Sequence, residues 1–139
     1  MHKHWQMFEH TADIGLSAKA DDLPGLYEAM AEGLAELMCP RAQVEPGDSR
    51  ELSIQAEDAE ALLVDFLSEV RAIIQVDRFL VGTVHVRDVS ETALMVELFG
   101  EPMDPDRHSL GHDVKAVTYH QLLVGKQDGK WVARVILDV

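Results

Sequence analysis

The sequence is poor in several things, and each shortage excludes a class of function. One cysteine, Cys39, stands among 139 residues. That rules out an internal disulfide, a cysteine-rich zinc site and a CxxC redox pair. Positive charge is scarce as well: 12 Lys and Arg face 25 Asp and Glu, for a net charge of −13. Phosphate backbones are bound by clustered cations, so direct, independent nucleic-acid binding is not expected. A surface this acidic instead suits solubility, divalent cations or a basic protein partner. No apolar run approaches the roughly 20 residues that span a bilayer, and no membrane association is expected. The opening Met-His-Lys-His-Trp has no apolar core of the kind a secretory leader carries, so a cytoplasmic location is expected. Neither a GxGxxG nor a Walker sequence occurs, which leaves no recognisable nucleotide cradle.

What is present reads as one α+β domain over residues 1–139, with no repeat and no linker long enough to divide it. Two segments have helical apolar spacing. The first runs from about Leu23 to Met38, with Asp22 as N-cap, Pro24 in the first turn and Pro40 beyond the end. The second runs from about Ala59 to Val76 behind Asp58, with a wider apolar stripe. The remaining segments read as strand and turn: a strand leading from Ile14 to Asp21, Arg50–Ala56, Phe79–Val89, Thr92–Gly100, Val114–Lys126 and Lys130–Val139. The order is βαβαβ followed by three strands, which implies a largely antiparallel β-sheet with two packed α-helices. Asp128-Gly129 predicts a two-residue turn in the last hairpin. That turn sets Leu137 opposite His120 and Asp138 opposite Tyr119, with Asp138 sharing its face with Arg134, Lys115 and Tyr119.

Two acidic residues are not explained by packing. Asp13 lies in the polar cluster His10-Thr11-Ala12-Asp13, just ahead of the alternating segment Leu16–Asp21. Asp138 lies in the apolar ending VILDV. A buried, unpaired carboxylate costs several kcal/mol, so Asp138 needs either a wet edge position or a partner. If the fold brings Asp13 and Asp138 together, their repulsion is relieved by a proton or a cation. Oxygen ligands suit hard ions such as calcium, magnesium or manganese. Val139, as a chain end, adds a further carboxylate. Thr11 can bond nearby backbone, and His10 is either a turn histidine or a group that orients a ligand.

Other candidates carry less. His108 and His112 have the spacing of a helical zinc pair, but Pro105 and Gly111 favour a solvated loop. His2 and His4 are expected at a mobile terminus. Cys39 reads as a buried thiol at a helix end.

The stretches HTADIG, GEPMDPDRH, VKAVTYHQL and ARVILDV, in that order, resemble the archease family over nearly the whole chain. The resemblance implies an archease-like fold and a protein that is not itself a ligase. It implies an activator of an RtcB-type RNA ligase of tRNA splicing or RNA repair, which promotes transfer of GMP onto the ligase and allows turnover. It further implies a divalent cation, calcium foremost with manganese or magnesium as alternatives, held by Asp13, Asp138 and Val139. Lys115 matches a basic position that the family needs for activation. Two readings from other classes stand beside it: a small metal-dependent phosphoesterase, and a chaperone-like binding module.

Overall fold

The computed structural model describes residues 2–10 and 13–139, with backbone alone at Glu9 and His10. The chain runs β1 (Lys3–His10), β2 (Asp13–Ala20), α1 (Leu23–Met38), a 3-10 turn (Arg41–Gln43), β3 (Asp48–Gln55), α2 (Ala59–Gln75), β4 (Phe79–Val89), β5 (Ala93–Pro102), β6 (Ala116–Gln127) and β7 (Lys130–Asp138). The fold is α+β with antiparallel pairing throughout. The strands divide between two sheets, of order β1-β2-β7-β6 and β3-β5-β4, rather than forming one.

The helices form where the caps and stripes require. The Asp22 carboxylate accepts from the Gly25 N–H at 2.8 Å, and Asp58 accepts from the Ala61 N–H at 2.8 Å. Each satisfies one of the orphan donors of a first helical turn. α1 packs on β1 and β2 of the first sheet and on β4 of the second, while α2 packs on β6 and on β4 and β3. The helices therefore supply the surface that both sheets bury. Tyr27, Met30, Leu34, Phe66, Leu67 and Val70 are all fully buried between them.

β1 is a strand that the sequence analysis does not include, although Trp5 and Met7, packed on the core, alternate with exposed His4 and Gln6. Here His4 belongs to a strand, and the terminus is tied down: the His2 N–H donates to Asp21 and the His2 carbonyl accepts from the Asp21 N–H. Two buried glutamates of α1, Glu28 and Glu32, accept from the backbone N–H groups of Val86 and Val84 at 2.9 and 3.2 Å. Lys3 of β1 lies 3.2 Å from Glu28 and 3.4 Å from Glu32, so both burdened carboxylates are paired.

The turn at Asp128-Gly129 forms as predicted, with both residues at positive φ, and the first pairs follow its register from Gln127↔Lys130 to Leu123↔Arg134. Beyond that the expected register fails. A bulge between Thr118 and Leu123, with Gln121 at φ 53°, moves β6 by three positions. Asp138 therefore faces Ala116 instead of Tyr119, and Leu137 faces Val117 instead of His120. An odd shift also exchanges faces, so Thr118 joins the face of Asp138 and Ile136.

Candidate metal centre

Parity along two strands fixes where the acidic residues go. In β2, Leu16, Ala18 and Ala20 are buried against the helices, so Asp13, Gly15, Ser17 and Lys19 take the outer face. In β7, Ala133, Val135 and Leu137 enter the same core, so Arg134, Ile136 and Asp138 take the opposite face, on which Ile136 is itself fully buried. The β2–β7 ladder then sets Asp13 directly opposite Asp138. The backbone of His10 in β1 is opposite Asp13 on the other side, giving the row His10, Asp13, Asp138, Ala116 across the sheet.

Both aspartates are half-buried. Side chains directly opposite in an antiparallel pair have Cβ atoms about 4.5–5.5 Å apart, within reach of one bridging cation. Among the described residues neither carboxylate has a salt bridge or a side-chain hydrogen bond. No third His, Cys, Asp or Glu side chain joins them into a closed ligand set among those residues. Two carboxylates with room for water suit a hard, oxygen-binding cation and not a tetrahedral zinc site. Of the chain's own groups, Asp13 and Asp138 would hold such an ion. Val139, half-buried and packed on the core, is the adjacent residue.

The surroundings hold this row in place. The Asp138 carbonyl accepts from the Lys115 N–H at 2.7 Å, which fastens the end of the long loop to the end of β7. Lys115 itself is exposed, so the backbone contact and the side chain are separable. Thr118 Oγ1 donates to the Ile136 carbonyl at 2.9 Å. One row further along, Phe8 lies over Gly15, where its ring takes the space that a Cβ would need. The Arg134 guanidinium sits 5.5 Å from that ring and donates to Gln121 Oε1 at 3.2 Å. Glycine in HTADIG thus has a packing reason that sequence alone did not supply. Thr11 and the His10 side chain lie outside the described residues.

The motif GEPMDPDRH is ordered differently from expectation. The His108 side chain is fully buried, not solvated. Its Nδ1 accepts from the Asp104 N–H at 2.9 Å, which leaves Nε2–H to donate to Glu101 at 3.0 Å. Glu101 also accepts from the Glu45 N–H at 2.7 Å and pairs with Arg107. The Glu45 N–H first, then Arg107 and His108, pull the Glu101 carboxyl down to about 2. His112 is exposed, and among the described residues it is tied through its backbone, to the Leu37 carbonyl. The two histidines therefore form no pair. Cys39 is buried, as the sequence suggested, and burial raises its thiol pKa.

These features define a class: a small, acidic α+β protein of two antiparallel sheets around two helices, with a carboxylate pair assembled from the first and last parts of its sequence. Comparison with known proteins narrows the class. The profile of the Archease protein family (MTH1598/TM1083) matches residues 5–139. Protein archease of Thermococcus kodakarensis is 36% identical over 141 residues, covering 99% of each chain. Protein archease of Methanopyrus kandleri is 36% identical over 138 residues, covering 97% of this chain and 99% of its own. The solution structure of protein 1598 of Methanobacterium thermoautotrophicum superposes with a TM-score of 0.78 at 32% identity, covering 97% of this chain and 98% of that one. A crystal structure of an archease from Thermotoga maritima, described as a possible chaperone, shares the fold with a TM-score of 0.60 at 17% identity. This chain belongs to the archease family.

Proposed function

We propose that this protein is an accessory factor that activates an RtcB-type RNA ligase of tRNA splicing or RNA repair by promoting its guanylylation and turnover. It does so through protein contact rather than by ligating RNA itself. Family membership supports the class of activity. The observation that carries the reading to particular residues is the direct opposition of Asp13 and Asp138 on β2 and β7.

A divalent cation bound there would neutralise the pair and cross-link the two strand ends. The chain's own groups prepare that surface. Lys115 N–H holds the Asp138 carbonyl, so β7 stays registered against the loop that precedes β6. Lys115 presents its ammonium to solvent beside this point, where it is free to meet an anionic group of the ligase–nucleotide complex. The net charge of −13 suits docking near a basic, RNA-binding active site without competing for RNA.

The test is GMP transfer from GTP onto a purified RtcB-type ligase with manganese, with and without this protein. Faster transfer and repeated turnover with a single ligase support the reading. No stimulation of an active ligase overturns it. Hydrolysis of a simple phosphoester by the protein alone favours a metal-dependent phosphoesterase. Equal stimulation of many unrelated partners favours the chaperone-like module.

A further inference from the structure

An exposed strand edge is an open ladder of N–H and C=O groups, and proteins normally blunt it with bulges, charges or a covering element. Three of the four edges here are treated in that way. β4 carries two register breaks, and its Val84 and Val86 N–H groups are taken by Glu32 and Glu28. β1 sends Lys3 to those same carboxylates. β6 is broken by the bulge between Thr118 and Leu123.

β3 is the exception. It pairs with β5 over eight residues, from Asp48↔Gly100 to Gln55↔Ala93, without a register break and without proline. Among the described residues, none of its backbone groups bonds to anything outside that ladder. Six of its residues are exposed apart from Leu52 and Ile54. Beside it runs an open groove of about 470 Å3, with Leu52–Gln55 on one wall and Asp65, Ser68 and Glu69 of α2 on the other. Asp65 and Glu69 are exposed, and no lysine or arginine lines the groove.

We propose that the β3 edge is a docking site for an extended basic peptide segment of a partner protein, which adds as a fourth strand to the β3-β5-β4 sheet. Strand addition supplies affinity through main-chain hydrogen bonds, and alternate side chains supply selectivity. Every second side chain of the added strand turns into the groove towards Asp65 and Glu69, so lysine or arginine belongs at those positions. The remaining side chains face outward beside Glu51 and Ser53. A second copy of this chain fits less well, because β3 carries Asp48 and Glu51 against a single Arg50, and Arg50 already pairs with Asp77. The proposal does not depend on the Asp13–Asp138 pair, which lies on the other sheet.

The test uses the whole protein, labelled for amide NMR, titrated with a synthetic peptide that alternates lysine and valine. The expected shifts concentrate in 48–55 and 65–69, with new exchange protection along β3. Binding weakens as salt rises, and the double variant Asp65→Lys/Glu69→Lys weakens it at least about tenfold. Because both side chains are exposed, the spectrum of the unbound variant reports that its fold is kept. Methylating alternate amides in one phase should abolish binding and in the other spare it, because only every second N–H of an added strand points at β3. Equal binding of both methylated peptides would mean charge attraction without strand pairing and would overturn the proposal. So would shifts centred elsewhere, no binding, or concentration-dependent dimerisation through β3.

Discussion

Asp13 and Asp138 face one another across the β2–β7 ladder, each the outermost member of a strand whose alternate residues are buried. Neither position is free to turn inward, because a one-residue slip would expose Leu16 and Leu137 together. The site is therefore a consequence of core packing. Removing either carboxylate should leave that packing intact.

Asp138→Asn and Asp13→Asn are expected to change stability in metal-free buffer by no more than about 0.5 kcal/mol, as for other exposed or half-exposed positions. Calcium or manganese should raise the Tm of the parent, and both variants should lose that rise, since a ligand stabilises only the state that binds it. Calorimetric scans with and without metal check this. An unchanged metal-dependent rise in either variant would contradict the site.

Lys115→Met separates side chain from backbone. The N–H bond to the Asp138 carbonyl survives, so fold and cation binding should match the parent while ligase activation falls. Lys115→Pro removes that N–H as well, and should disturb the end of β7 and weaken cation binding. Parallel cation titrations and guanylylation assays distinguish them, and full activation by Lys115→Met would remove the ammonium from the mechanism.

Acid should loosen the loop that holds GEPMDPDRH. The Glu101 carboxyl lies at about 2 in the folded chain against an ordinary 4.5. A folded-state value below the unfolded one means that the stabilisation is complete above about pH 4.5 and is lost as pH falls towards 2. Amide protection at Asp104 and Ser109, measured against the intrinsic exchange rate at each pH, should fall through that window in the parent. Glu101→Gln should be looser at neutral pH and lack the step, and an identical acid profile in the variant would assign the step to another group.

Gly100→Ala should destabilise the protein by about 3 kcal/mol, because the new methyl would collide with the Leu80 carbonyl, a backbone atom that cannot swing aside. Gly125→Ala, in the hairpin strand β6, meets open space and should be nearly neutral. Denaturant unfolding of the two variants measures the difference.

Glu28→Ala would leave the buried Val86 N–H unpaired and cost about 1–3 kcal/mol. Glu28→Gln keeps an acceptor in the same place and should recover most of that loss. Equal destabilisation by both would mean that the negative charge near Lys3 and His85, not the edge contact, is what matters.

Much of the architecture could be read from the residues. Asp22 and Asp58 are short acceptors immediately before apolar stripes, so both helix starts followed from local chemistry. Asp128-Gly129 set the last hairpin turn for the same reason. β1 is legible only in part: Trp5 and Met7 alternate with His4 and Gln6, but the run is short and adjoins the chain end, and its pairing with β2 is what holds it as a strand. The division into two sheets depends on which edges α1 covers through Glu28 and Glu32, a long-range matter. The bulge in β6 escaped because Gln121 is not a residue type that announces positive φ. At the site, Asp13 and Asp138 were conspicuous as polar residues without a packing role, and their opposition follows from parity once β2 and β7 are neighbours. The burial of His108 is not legible, since the prolines and glycine around it speak for a loop but not for how deeply its ring is buried.

The most direct test of the whole account is GMP transfer onto an RtcB-type ligase, with GTP and manganese, in the presence of the parent, Asp13→Asn or Asp138→Asn protein. Stimulation by the parent and its loss in both folded variants is the predicted result. Stimulation by either variant equal to the parent would contradict it, because the carboxylate pair would then have no part in activation.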